Sequence, residues 1–554
     1  MAAKLTPEQT RTQDEAFVSQ CSLTGLSDRL PLCWPTPPDT PPSPKRSYRS
    51  QYVYPGWDDL RDPTCWEQWS EFDWVLRLVD FSGLRAVLAQ LLGWRSGRGW
   101  KPFDPLSLFL LTAWQLVNRW SRAETLRNLR QRRYADYARR FGFREEVFPT
   151  EGGLRYFLTA LGGDPEGQGE TVMVEKSEGT IPVAVQRLNQ LLAQSVSLIR
   201  DARLVSEMAW EAAWVCPDGQ LHDAASRMRC QAVTETCYQA ITPGKGRPCP
   251  AKEKGLCGCD CDRLACAQIC KRATPRDPQA RFIWYQRNNQ DEREEGEAHY
   301  GYRSLPFQLA DRKRRFSLTL LSDVRPANQH EELPAAALLL QLEHAYPDLH
   351  VEVVAGDAGL GHDVFLHTTY AHLQARRVID LRRHQADKDP RQWPLRGYDH
   401  QGRPVCPFGY PLSANGYDRE RRRQKWVCNQ ICLLGAEPLV RLETVCYPPP
   451  ECPYQAAQHR HGNVVNVGEC FPDGSLRLVR DVPFGSHAWK ALYHRGRNAV
   501  ESRNAILEGW LLKRLPVYGL PRSKALLFLA DIWANLTTLA RLVRQATLAN
   551  RMPP

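Results

Sequence analysis

The sequence predicts an α/β protein: a mixed sheet with an antiparallel half, interrupted by cysteine-rich insertions and preceded by an all-α domain. Three observations carry this expectation. Residues 66–165 repeat apolar side chains at helical spacing, as in WSEFDWVLRLVDFSGLRAVLAQLLGW. From about residue 200 the chain turns to short alternating and β-branched runs, and further on these alternate with helical patterns. Two stretches, 227–275 and 384–486, break the pattern with cysteine, proline and arginine.

Taken in order, residues 1–65 carry PLCWPTPPDTPPSPKRS, a composition expected to stay a disordered tail. The helical domain, 66–165, includes PFDPLSLFLLTAWQLVNRW, whose proline suits a helix start, and ETLRNLRQRRYADYARRFGF, with one basic face. PTEGGLRYFLTALG closes that domain, and the polar GGDPEGQGE (162–170) suggests a linker. A helix over 181–209 leads to WVCPDGQLHDAAS (214–226). HYGYRSLPFQLAD (299–311) and RRFSLTLLSDV (314–324) alternate like paired strands. LPAAALLLQLEHAY (333–346) predicts a helix, LHVEVVAGDAG (349–359) a buried strand, FLHTTYAHLQAR (365–376) a helix and RVIDLR (377–382) a strand. The first part of the sheet domain thus spans 200–383, and residues 487–550 return to helix.

The chain has 554 residues, a formal charge of +11 and a pI near 8.9. Its cations come in blocks, RNLRQRRYADYARR (127–140) and DRERRRQKW (418–426), which suit either a polyanion such as nucleic acid or ordinary solvated faces. The start, MAAKLTPEQTRTQDEAF, has no apolar core of a secretory signal. No apolar stretch approaches the roughly 20 residues a membrane helix needs. A cytoplasmic location without membrane attachment is therefore expected, and there the 18 cysteines stay reduced.

Three acids stand out by context. Asp218 follows an apolar stretch, Asp357 ends the β-branched run VEVVAG, and Glu501 lies in the helical YHRGRNAVESRN. Each has an ordinary reading: Asp218-Gly219 is a turn pair, Asp357 caps a following helix, and Glu501 pairs with Arg497 four residues earlier. Asp223 is an alternative to Asp218. Two strand-end aspartates and a helical glutamate that meet at one sheet edge offer hard oxygen ligands to divalent cations.

The order and spacing of these acids and their surroundings resemble the DDE transposases of bacterial insertion sequences, over about residues 95–545. The family's first motif, Asp-Gly-Thr-x-Leu-x-Ala-x-Ala-Ser, is similar to Asp218-Gly219-Gln220-Leu221 with Ala224, Ala225 and Ser226. Its DPxAR segment matches Asp277-Pro278-Gln279-Ala280-Arg281. Its GYK strand resembles Gly301-Tyr302-Arg303, and its TPAN turn resembles Arg325-Pro326-Ala327-Asn328. Asp357-Ala358-Gly359 resembles the second acid motif, and Arg497 with Glu501 the third. The family tyrosine falls one residue early, as Tyr493, and its lysine after the glutamate is Glu508 here.

The resemblance implies an RNase H-like core in which Asp218, Asp357 and Glu501 hold two Mg²⁺ or Mn²⁺ ions for cleavage and transfer of DNA strands. It implies double-stranded DNA partners (element ends and target), a homodimer on DNA and a place at the nucleoid. Arg497 and Arg503 would contact phosphate, and so would Arg421, Arg422, Arg423 and Lys425 of the basic insertion. The alternative is a catalytically inactive, transposase-derived DNA-binding protein. Cys257, Cys259, Cys261, Cys266 and Cys270 have spacings that can clamp Zn²⁺, and Cys406, Cys428, Cys432, Cys446 and Cys452 form a second such set.

Overall fold

The structure is a computed structural model. It describes residues 30–37, 47–54, 68–93, 101–163, 171–173, 180–225, 277, 279–285, 297–311, 316–380, 395–398, 403–418, 420–421, 423–439, 452, 462–468, 482 and 487–549. The candidate zinc ligands Cys257, Cys259, Cys261, Cys266 and Cys270, the cation Arg422, and Cys446 lie outside the described residues.

Among the described residues, six helices fill the N-terminal part: α1 (Glu71–Leu78), α2 (Leu84–Leu91), α3 (Pro105–Val117), α4 (Arg122–Leu129), α5 (Ala135–Arg140) and α6 (Glu151–Gly162). The first begins on a reciprocal capping box between Ser70 and Asp73. Asp104 caps α3, whose proline sits in the first turn, and this helix is apolar all round because it is buried all round. The N-terminal stretch expected to be a tail is partly packed against these helices. Leu32–Cys33 pairs in parallel with Val79–Asp80, and the Trp34 ring stacks on Phe81 with centroids 5.8 Å apart. Asp104 accepts hydrogen bonds from the Tyr52 amide and the Arg85 guanidinium, both 3.0 Å, so its cap also fastens residues 50–52. Proline-rich composition hid the anchoring ring of Trp34.

The expected single helix over 181–209 is two, α7 (Val183–Asp201) and α8 (Glu207–Glu211). Arg203 takes a left-handed φ of 56° and Ser206 caps the second helix, so the first cannot continue. Then come β1 (Ala213–Pro217), β2 (Gln220–Asp223), β3 (Arg281–Tyr285), β4 (Glu297–Ser304), β5 (Phe307–Asp311), β6 (Phe316–Leu321) and β7 (Val324–Pro326). They are followed by α9 (Glu332–Ala345), β8 (Val351–Gly356), α10 (Asp363–Ala371) and β9 (Arg376–Ile379). The insertion carries β10 (Ser413–Asp418), β11 (Arg423–Val427) and β12 (Val464–Gly468), and the chain ends in α11 (His487–Gly509) and α12 (Leu520–Ala549).

The central sheet has the order β6-β5-β1-β8-β9. β5 runs antiparallel to β1 and β6, whereas β8 runs parallel to β1 and β9, giving the mixed sheet with an antiparallel half. A second sheet joins β7, β4 and β2, with β3 on β4. The run 299–311 is therefore split between two sheets: its first strand leaves for the second sheet, and only the latter half pairs with β6. The third sheet is β10-β11-β12.

Helix α12 joins the two halves. Trp533 packs against Phe72, Phe81 and Phe109 at centroid distances of 5.0, 5.9 and 6.0 Å, on the side of the N-terminal helices. Asn535, near Trp533 on the same helix, bonds both the N–H (2.9 Å) and the C=O (3.0 Å) of Thr319 on the edge strand β6, which satisfies that edge as a further strand would. Contrary to the sequence expectation, Leu520–Gln545 is long and apolar enough to cross a membrane; 94% of its most apolar window is buried inside the protein. Its buried Asp531 meets the equally buried Arg503 of α11 at 2.7–2.8 Å, and Arg503 also donates to Gln220 of β2. Arg503, expected to touch DNA phosphate, is 2% exposed and is instead a core ion pair that fastens α11, α12 and β2.

Removing one member of a buried pair strands the other charge. Asp531→Ala is expected to destabilise the protein by about 3–5 kcal/mol in denaturant unfolding, and Arg503→Met with Asp531→Leu to recover most of that loss.

Candidate functional site

Asp218 and Asp357 are the residues immediately after β1 and β8. The strands are parallel, with Val354 opposite Val215. Three residues further on each strand, the same register sets Asp357 opposite Asp218. Helix α11 lies across this edge. A Cβ at Gly496 would stand 2.6 Å from Ala355 Cβ and 3.0 Å from Cys216 Sγ, so only glycine lets the helix approach so closely. The next residue, Arg497, reaches to 3.9 Å from the Asp218 carboxylate.

Burial and mutual repulsion govern the electrostatics. Burial, and then the charge of Asp357, push Asp218 up to about 7, against the pull of Arg497. Asp357 is raised as well, chiefly by burial, with Arg497 and the backbone amide of Gly359 opposing. For Arg497, burial acts to lower its affinity for a proton, but the acids Asp218, Asp357 and Glu501 and the nearby Tyr493 outweigh it. Beneath Asp218, burial and that acid's charge push the Cys216 thiol up to about 12, so it stays neutral.

A third carboxylate joins the pair. Glu331 is at the N-terminus of α9, and Arg303 of β4 holds its Oε1 in an ion pair. A Cβ at Gly219 would lie 2.5 Å from this carboxylate, which places Glu331 over the turn that carries Asp218. Its Oε2 is buried and accepts no hydrogen bond among the described residues. Burial, with the charge of Asp357, pushes Glu331 up to about 7 despite Arg303. In the sequence Glu331 lies in QHEEL before an apolar helix, where an acid suits the helix dipole, and that ordinary role conceals it. On the far strand, Asp380 follows β9 and accepts a 3.2 Å hydrogen bond from Tyr493 of α11.

The alternatives for the first acid separate cleanly. Asp223 lies on β2, 3.0 Å from His299 and 3.3 Å from Arg514, and these partners lower its pKa against the effect of burial. The ordinary readings of the other acids hold in part. Asp218 does occupy the β1–β2 turn, and Asp357 does accept from the Gly359 amide at 3.0 Å. Glu501 is exposed one helical turn beyond Arg497, whose guanidinium points to Asp218. Of the basic insertion, Arg421 and Lys425 are exposed, whereas Arg423 is drawn to Asp418 at 3.6 Å.

Among the described residues, no three His, Cys, Asp or Glu side chains are gathered closely enough to hold a metal ion as they stand. The donors nevertheless suit a hard divalent cation in kind and charge: three half-buried carboxylates act on one another electrostatically, and two guanidinium groups only partly offset them.

With folded-state values raised above the unfolded ones, these acids favour the native state only while protonated, so their contribution is lost as pH rises towards about 7. In metal-free protein, Asp218→Asn should raise Tm more at pH 8 than at pH 5, because the penalty grows from the unfolded value of 3.8 up to about 7; an equal shift at both pH values would contradict the raised affinity of this carboxyl for its proton. No model of a known protein family matches the chain, and no curated protein matches it.

Proposed function

We propose that the protein is a metal-dependent DNA phosphoryl transferase of the DDE transposase type, which binds the ends of an insertion sequence and cuts and joins DNA strands there. The observation that carries this reading is the pair Asp218 and Asp357, half-buried at the ends of neighbouring parallel strands with Arg497 beside Asp218. The mixed sheet with its antiparallel half supports the RNase H-like core that the sequence resemblance calls for.

Asp218, Asp357 and Glu501 would hold the cations, with Glu331 as a further carboxylate. Bound Mg²⁺ or Mn²⁺ supplies activation of a water or a 3′-hydroxyl and neutralisation of the departing 3′-oxygen. The chain's own residues set the stage. Arg497 offsets part of the repulsion between the aspartates, and Arg303 fixes Glu331 over the Asp218 turn. The neutral Cys216 and the buried Val353, Val354 and Ala355 give the carboxylates a dry floor, where charge interactions are strong.

DNA is held elsewhere. Arg127, Arg130, Arg132, Arg133 and Arg139 are exposed along α4, α5 and the turn between them, and Arg421 and Lys425 on the third sheet. Such contacts position the phosphate backbone without reading bases. The protein would act on chromosomal DNA in the cytoplasm, as a homodimer that brings two element ends together.

One observation favours a second reading, a transposase-derived protein that binds DNA without cutting it: Glu501 stands exposed instead of closing on the aspartates. A plasmid carrying the DNA that flanks the protein's own coding sequence separates the two. Nicking that requires Mg²⁺ or Mn²⁺ is expected. Asp218→Ala and Asp357→Ala should each reduce it by more than the roughly 10–100-fold that loss of an outer-shell partner costs, with DNA binding retained. Binding without cutting by the unaltered protein would favour the second reading, and neither binding nor cutting would overturn both.

A further inference from the structure

Among the described residues, the insertion that carries the third sheet has a small core of its own, Cys406, Phe408, Tyr410 and Leu412 with half-buried neighbours. A unit of this size ordinarily needs a staple. Four cysteines from three separate parts of the insertion line one cavity of about 20 Å³, next to Phe408 and Ile431. That is room for a single ion or water.

The backbone around these cysteines is shaped to present sulfur. The Tyr410 amide points to Cys406 Sγ at 3.4 Å. The Gln430 and Asn463 amides point to Cys428 Sγ at 3.4 and 3.0 Å. Amide donors aimed at sulfur favour the thiolate over the thiol. Asn429 and Gln430, between Cys428 and Cys432, both have left-handed φ values, 49° and 54°. Non-glycine residues keep such a conformation only where their surroundings over-determine it. Opposite them, a Cβ at Gly462 would lie 1.9 Å from Cys428 Sγ, so the returning strand is cut back to glycine where the sulfur sits.

We propose that Cys406, Cys428, Cys432 and Cys452 bind one Zn²⁺ as a closed tetrahedral structural site. Soft sulfur donors in a set of four, spaced as Cys-x₃-Cys plus two distant partners, select zinc over the hard cations that suit the carboxylate site. The sulfurs surround the cavity without three of them yet closing on one point. Binding draws the half-exposed Cys428, Cys432 and Cys452 inwards on the buried Cys406. Each thiol that ligates gives its proton to solvent, and the metal replaces those protons. The site would stiffen the base of the β10–β11 hairpin that displays Arg421 and Lys425, and it stands independently of the transposase reading.

The test uses the full chain purified under reducing conditions from zinc-containing medium. Metal analysis should show about one zinc per chain fewer in Cys428→Ser with Cys432→Ser than in the unaltered protein. Because that variant can fail to fold, the unaltered protein is also alkylated before and after a zinc chelator, and the modified cysteines are mapped by mass spectrometry. Cys406, Cys428, Cys432 and Cys452 should be protected together before chelation and react together after it. Alkylation of the four at unchanged rates, equal zinc content in protein and variant, or disulfide bonds among them in the native protein would each overturn the proposal.

Discussion

Parallel pairing of β1 with β8 forces two carboxylates into one half-buried corner. Asp218 and Asp357 follow strands held in register by backbone hydrogen bonds, so neither can withdraw without breaking the sheet. Negative charge in a low-dielectric corner is costly unless something offsets it. Helix α11 supplies Arg497, β4 supplies Arg303, and Glu331 adds a further acid to the same place. Protons complete the balance when no cation is present. The proposed cation would relieve this shortage of positive charge.

The rest of the fold keeps this corner rigid. Arg503 and Asp531 lock α11 against α12, one turn and a half from Arg497 along the same helix. His222, buried on β2, joins the Leu512 carbonyl and the Ser304 hydroxyl at 2.8 Å each; burial, then Arg503, push it down to about 3, so it stays neutral and serves as a structural link. Through Trp533, helix α12 carries the same core into the N-terminal helices. The exposed arginines there are thus fixed relative to the carboxylates, which suits the proposed role of holding DNA at a set distance from them.

Strand-end acids were legible because their local signals are strong: VEVVAG is a buried strand that stops on Asp357, and CPDG stops β1 on Asp218. Two motifs quoted for the resemblance have structural work in this chain. Asp277 accepts from Tyr302 and, at 2.9 Å, from the Gly519 amide, so the DPxAR and GYK-like segments together anchor the start of α12. What was not legible depends on partners distant in the chain. Arg503 looks like an exposed helical cation until Asp531, 28 residues on, is placed beside it. Glu331 passes for a helix-start acid until the fold lays it over Gly219. Trp34 is one aromatic ring in a proline-rich run, and composition averages it away. The burial of α12 is invisible to composition too, since an all-round apolar helix has the same make-up in a protein core as in a lipid.

A direct measure of the central claim is the binding of Mn²⁺, followed by electron paramagnetic resonance, to the unaltered protein and to Asp218→Asn and Asp357→Asn. Shared coordination predicts that each substitution weakens the same bound Mn²⁺, although the two residues lie on different strands. Mn²⁺ affinity and stoichiometry unchanged in both variants would mean that these carboxylates do not meet at a cation, and the phosphoryl-transfer account would fall with them.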